Sequence, residues 1–148
     1  MTILGLAGAL IHVINHALLK AGLFMGAGSV QQATGTLNLN LLGGLAHSMP
    51  STTLSFLINS AGIMALPPMN GFVGEFLIIL AACAGLKQAS LAALASLMIL
   101  PLAGGLAGLG RARAAGLGFL GQPRSARAAS AREVPLAMRL PQVTLALS

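Results

Sequence analysis

Apolar residues run along this chain in long, nearly unbroken stretches instead of alternating with polar ones, and four windows stand out. The first covers residues 3–30, rich in Ala, Leu and Gly, with His12, Asn15, His16 and Lys20 as its polar interruptions. The others cover about 51–66, 72–86 and 90–120. At 1.5 Å of rise per residue, about 20 apolar residues cross the roughly 30 Å of bilayer hydrocarbon. The first and last windows are long enough to cross with tilt; the middle two are short. The second opens on Ser51-Thr52-Thr53, a candidate helix cap, and closes at Pro67-Pro68, which removes two backbone donors. The third opens after Gly71 and holds Glu75. Open backbone at membrane depth is tolerated where it lines a cavity, so the Pro67–Gly71 stretch is expected partly within the membrane. The pattern predicts an all-α, polytopic transmembrane helix bundle. Residues 31–50, with two Asn, Gly43-Gly44 and Pro50, read as a surface loop. Residues 121–148 read as a basic tail leading into an incomplete further span, because the last eight turn apolar again.

Composition narrows this further. The 148 residues are 56% hydrophobic and only 7% charged, against roughly 25% charged in a soluble domain. An ordinary cytosolic domain is excluded, and disorder is excluded with it, since disordered chains combine low hydrophobicity with high net charge. The formal net charge of +6 points to no nucleic acid once the charges are located. Before position 111 the charged residues are Lys20, Glu75 and Lys87, whereas Arg111, Arg113, Arg124, Arg127, Arg132 and Arg139 follow. Lys and Arg near span ends mark the cytoplasmic side. With four crossings, the tail and the 67–71 turn are expected to be cytoplasmic and the 31–50 loop outside. A secretory signal needs a basic start and a small-residue cleavage site, and no Lys or Arg precedes Lys20. The single Cys83 permits no internal disulfide and, like the seven Met, reads as packing. His47 reads as a solvated loop residue, and the glycines of 104–110 as close-packing positions.

Ionisable side chains inside a span cost about 2.5–3.5 kcal/mol at its centre on insertion scales, so each is a functional candidate. Four qualify: His12, His16, Lys20 and Glu75. The first three sit at i, i+4 and i+8, a ladder along one helix face with about 6 Å between rungs. An imidazole accepts on one nitrogen and donates from the other. Desolvation disfavours charged forms, which suits Lys20 and Glu75 to exchanging protons, and one water can bridge a gap of about 6 Å. The alternatives are a packing role for His12 and a snorkelling Lys20, whose position near mid-depth makes that difficult.

The stretch His12-Val-Ile-Asn-His16-Ala-Leu-Leu-Lys20-Ala-Gly-Leu-Phe, ending Gly26-Ala-Gly28-Ser-Val30, resembles one helix of a known family. These are the antiporter-like membrane subunits shared by respiratory complex I, membrane-bound group 4 hydrogenases and multisubunit cation/proton antiporters. Leu42–Pro50 resembles the loop that follows, and Leu66-Pro-Pro-Met-Asn-Gly-Phe-Val-Gly-Glu75-Phe the entrance to a broken helix with its functional acid. Phe119–Arg124, Ala131–Pro135 and Met138 are most similar to the hydrogenase-4 and formate hydrogenlyase branch. The resemblance covers nearly the whole chain. It implies part of one repeat of an inverted-repeat fold, four helices of the second five-helix repeat, without the first repeat's Glu and Lys pair. Arg111 departs from the family pattern, which is apolar or aromatic there.

The resemblance implies proton translocation as part of a membrane subunit of a redox-driven complex, of hydrogenase-4, formate hydrogenlyase or NADH–quinone oxidoreductase type. His12, His16, Lys20 and Glu75 would form the relay. No catalytic centre of its own, no cofactor and no metal is expected, because redox centres need Cys or His ligand sets. The expected partners are the other membrane subunits, the lipid bilayer and protons, in a multi-pass protein of the inner (plasma) membrane. The alternatives are a component of a multisubunit sodium/proton antiporter and an inert truncated fragment; the start of the chain and the missing last span are expected to mark a fragment.

Overall fold

The computed structural model describes residues 3–88 and 90–147. All of its regular structure is helical, with no strand among the described residues. In chain order the helices are α1 (Ile3–Thr34), α2 (Leu45–Ser48), α3 (Pro50–Ile63), α4 (Asn70–Leu86), α5 (Leu91–Phe119), α6 (Ala126–Ala129) and α7 (Leu136–Ala146). Two of them, α1 with 32 residues and α5 with 29, are long and apolar enough to cross a membrane. Much of their apolar surface is exposed in this chain, from Ile3, Leu10 and Val13 to Met98, Leu102 and Leu109. Such a surface suits apolar surroundings, lipid or neighbouring helices.

The contacts fall into two compact units. One holds the chain up to Ala17 together with Ala61–Gly108, the other Leu18–Ser60 together with Leu109 onward. In the first, α4 runs antiparallel to the first half of α1. The Asn15 side chain donates to the Asn70 carbonyl at 2.9 Å, and Gly74 and Leu77 then pack on His12 and Gly8 in turn. In the second, α3 runs antiparallel to the other half of α1, with Phe56 against Gly26 and Asn59 against Gly22.

The stretch expected to be a surface loop carries the core of the second unit. Leu42, Leu45 and Met49 are buried with Val30, Phe119, Ala128, Ala131 and Val134. The physical reason is Gly43-Gly44. Both adopt positive φ, 133° and 68°, which only glycine takes readily, and this turns the chain inward. A Cβ at Gly43 would lie 2.5 Å from the Gln122 carbonyl oxygen, and the Gly44 N–H donates to the Leu120 carbonyl at 3.1 Å. Arg124 donates to the carbonyls of Leu39, at 2.7 Å, and of Leu117, and Ser125 donates to the Leu41 carbonyl at 2.7 Å.

These bonds overturn the expected placement of the 31–50 loop and the tail on opposite faces, because they hold both at one end of the helices. α3 and α4, with 14 and 17 residues, rise about 21 and 26 Å, shorter than α1 and α5.

The cap of α3 also differs from expectation. Pro50 is the first helical residue, a position where the missing N–H costs nothing. The donors behind it are satisfied by the Glu133 carboxylate, which accepts from the Ser51 N–H at 2.8 Å, the Thr52 N–H at 3.4 Å and the Thr52 hydroxyl at 2.6 Å. The tail is therefore packed, with Val134 and Gln142 buried and Gln142 donating to the Ser29 hydroxyl at 2.5 Å. Three smaller expectations change as well. Cys83 is exposed. His47 is exposed but helical, in α2. Within this chain Gly104, Gly105 and Gly110 would meet nothing with an added Cβ, so their close-packing role is not met here.

Two outcomes follow for this fold. In a Cys83→Ala background, Asn38→Cys and Gln122→Cys should both react with an impermeant thiol reagent from the same side of the membrane; reaction from opposite sides contradicts the pairing of loop 35–44 with segment 117–125. Glu133→Ala leaves charge-assisted bonds unmade, worth about 1.5–3 kcal/mol each. It should lower the thermal unfolding midpoint in detergent, with Glu133→Gln intermediate; an unchanged midpoint removes the capping role.

Candidate functional site

Nothing but helix geometry is needed to align His12, His16 and Lys20 along α1. The structure adds what faces them. The His12 and His16 rings lie 5.6 Å apart, centroid to centroid, with their planes tilted by 37°. Both residues are half-buried, and Nδ1 of His12 is buried with no hydrogen-bond partner among the described residues. Opposite stands α4. A Cβ added at Gly74 would lie 2.7 Å from the His12 Cα, 2.8 Å from its Cβ and 2.9 Å from its N, so the two backbones touch there with no side chain between them. The reciprocal glycine lies one turn back on α1, where a Cβ at Gly8 would stand 2.8 Å from the Leu77 Cβ and 3.2 Å from the Gly74 carbonyl oxygen. Small residues at such crossings let membrane helices approach closely.

The consequence falls on the next residue. Glu75, half-buried, follows the glycine pressed against His12, and its carboxyl lies within electrostatic reach of the His12 imidazole. The Asn15 bond to Asn70 fixes where α4 begins, and with it the register that sets Gly74 on His12. The first unit thus pairs the His12 and His16 rings and places Glu75 one residue after the glycine that packs on His12. Lys20 belongs to the second unit and is exposed in this chain.

Sequence reasoning missed the residues that build this arrangement: Gly8, Asn15 as the anchor, and Gly74. The one local signal was a glycine directly before the only acid of an otherwise apolar helix. Chemically the group holds two imidazoles and a carboxyl within one helix crossing, a set that can take up, pass on and release protons. Among the described residues no group of three or more His, Cys, Asp or Glu is placed to hold a metal ion.

All-helical regular structure among the described residues, with two apolar helices of spanning length, is that of a multi-pass membrane protein. Residues 1–100 match the family described as NADH:quinone oxidoreductase/Mrp antiporter, TM, and the chain belongs to that family. It is 38% identical over 148 aligned positions to formate hydrogenlyase subunit 3 of Escherichia coli, covering 97% of this chain and 24% of that protein. To hydrogenase-4 component B of the same organism it is 38% identical over 151 positions, covering 99% and 22%. To one of the Na(+)/H(+) antiporter subunits of Alkalihalophilus pseudofirmus it is 40% identical over 81 positions, covering 55% and 16%. The chain thus spans about a quarter of the length of the first two relatives.

The crossing gives a direct test. Gly74→Ala must push a β-carbon into the α1 backbone, an overpacking that costs about 1–3 kcal/mol. Gly104→Ala, with open space around it, should be neutral or stabilising by up to about 1 kcal/mol through helix propensity. Thermal unfolding in detergent should separate the two variants in that order; equal midpoints would remove the tight crossing.

Proposed function

We propose that this chain forms the proton-translocating part of a membrane subunit in a redox-driven complex of the hydrogenase-4 or formate hydrogenlyase type. It would sit in the inner membrane among other membrane subunits, with the arginine-rich tail and the 35–44 loop cytoplasmic by the distribution of positive charge. Protons step along His12, His16 and Lys20 through bridging waters and exchange with Glu75. The observation that supports this reading is the crossing of α1 and α4, where the His12 and His16 rings lie 5.6 Å apart and the glycine before Glu75 packs on His12. Lys20 enters on its place in the ladder, two turns of α1 beyond His12. A proton passes between groups whose two protonation states both occur, so the relay needs titratable side chains and not fixed charges. The resemblance to an antiporter component over 81 positions supports a second reading, in which sodium exchanges for protons at Glu75 and the open backbone between α3 and α4.

The test is proton uptake into inverted membrane vesicles of the host, with assembly checked on native gels. Glu75→Gln keeps shape and hydrogen bonding but cannot ionise, and should abolish uptake. Lys20→Arg keeps the charge but does not deprotonate, and should be nearly as defective as Lys20→Ala. Lys20→Ala combined with Glu75→Gln should be no worse than the more severe single variant, as expected for members of one path. Uptake near wild type in Glu75→Gln or Lys20→Arg overturns the relay. Uptake that requires sodium selects the exchange reading.

A further inference from the structure

The second unit contains an apolar cavity of about 260 Å³ that the relay does not use. Its walls come from the last turns of α1 at Ala27, the loop at Leu39, α3 at Phe56, and the end of α5 at Ala114, Gly118 and Phe119. It therefore lies where α1 and α5 reach their ends, the depth at which acyl chains meet headgroups. Its lining residues are all apolar, so it offers a ligand burial and no hydrogen bonds. The volume falls below the roughly 300–1,000 Å³ that encloses a whole small molecule. An occupant would leave part of itself outside.

What stands outside is positive. Arg124 donates to the carbonyls of Leu39, which lines the cavity, and of Leu117, next to the lining Gly118. Both bonds come from one terminal nitrogen, Nη2, so the guanidinium's other N–H groups point elsewhere. Arg127 stands beside Gly35, its Nη1 3.6 Å from where a Cβ would be, two residues before the lining Leu37. Both arginines are exposed, and no acidic residue lies between Glu75 and Glu133 to neutralise them along the chain. Glu133 itself is engaged by Ser51 and Thr52. An apolar slot with guanidinium groups at its mouth matches one kind of molecule in a membrane, a lipid with an apolar tail and an anionic head. Basic sites between helices at the membrane surface bind anionic headgroups, and guanidinium is the side chain suited to phosphate.

We propose that this cavity is a specific anionic phospholipid site, with one acyl chain between Ala27, Phe56 and Phe119 and the phosphate at Arg124 and Arg127. A bound lipid would bridge the loop after α1 and the segment after α5.

Native mass spectrometry of the full chain, purified in detergent with its membrane complex and incubated with phosphatidylglycerol or phosphatidylcholine, tests this. Phosphatidylglycerol should be retained at least about fivefold better. Ala114→Leu, which grows into the cavity, and Arg127→Gln, which removes a rim charge without touching the bonds that hold the loop, should each reduce its retention by at least about fivefold. Arg124→Gln is the less informative variant, because that residue also ties down Leu39. Equal retention of the two lipids overturns the proposal and points to an uncharged occupant. Retention unchanged by Ala114→Leu overturns it in favour of unspecific attraction to surface arginines.

Discussion

A β-carbon at position 74 would stand 2.7 Å from the His12 Cα, inside any allowed contact, and this absence of a side chain governs the geometry of the first unit. In water, helices are driven together by burying apolar surface; in lipid that drive is missing, and close packing must supply the association. The paired glycines at 8 and 74 let backbones meet, and the Asn15 bond to Asn70 sets their register. A shift of one residue would turn Glu75 about 100° around its helix, away from His12. The geometry of the proposed relay thus depends on residues that carry no chemistry of their own.

The second half is organised by a different need, that of satisfying backbone groups where the chain is not helical. Loop 35–44 and segment 117–125 supply each other's partners: the Gly44 N–H, the carbonyls of Leu39, Leu41, Leu117 and Leu120, and the side chains of Arg124 and Ser125. Glu133 then closes the first turn of α3. Such mutual saturation is what open backbone beside a bilayer requires. It also makes the tail part of the fold, with Arg124 and Arg127 held beside the loop after α1.

Much of this was legible in the sequence, and the failures have specific causes. Long apolar windows gave α1 and α5 within a few residues, because spanning length is a direct consequence of bilayer thickness. The His12, His16, Lys20 spacing needed only the helical period. Residues 31–50 were misread because Asn, Gly and Pro signal turns wherever the turns sit; that Leu42 and Met49 face a core depends on contacts with residues some 70 to 90 positions away. The cap supplied by Glu133 lies 82 residues from Ser51, beyond any local motif. Gly74 carried no signal beyond its type and its place directly before Glu75.

The proposed relay requires the Glu75 carboxyl to take up and release a proton as protons pass. Infrared difference spectroscopy, on the protein in membranes, reads the carboxyl stretch directly. The relay predicts a pH-dependent carboxyl band that disappears in Glu75→Gln. Difference spectra of the parent and of Glu75→Gln that are identical in the carboxyl region would contradict it.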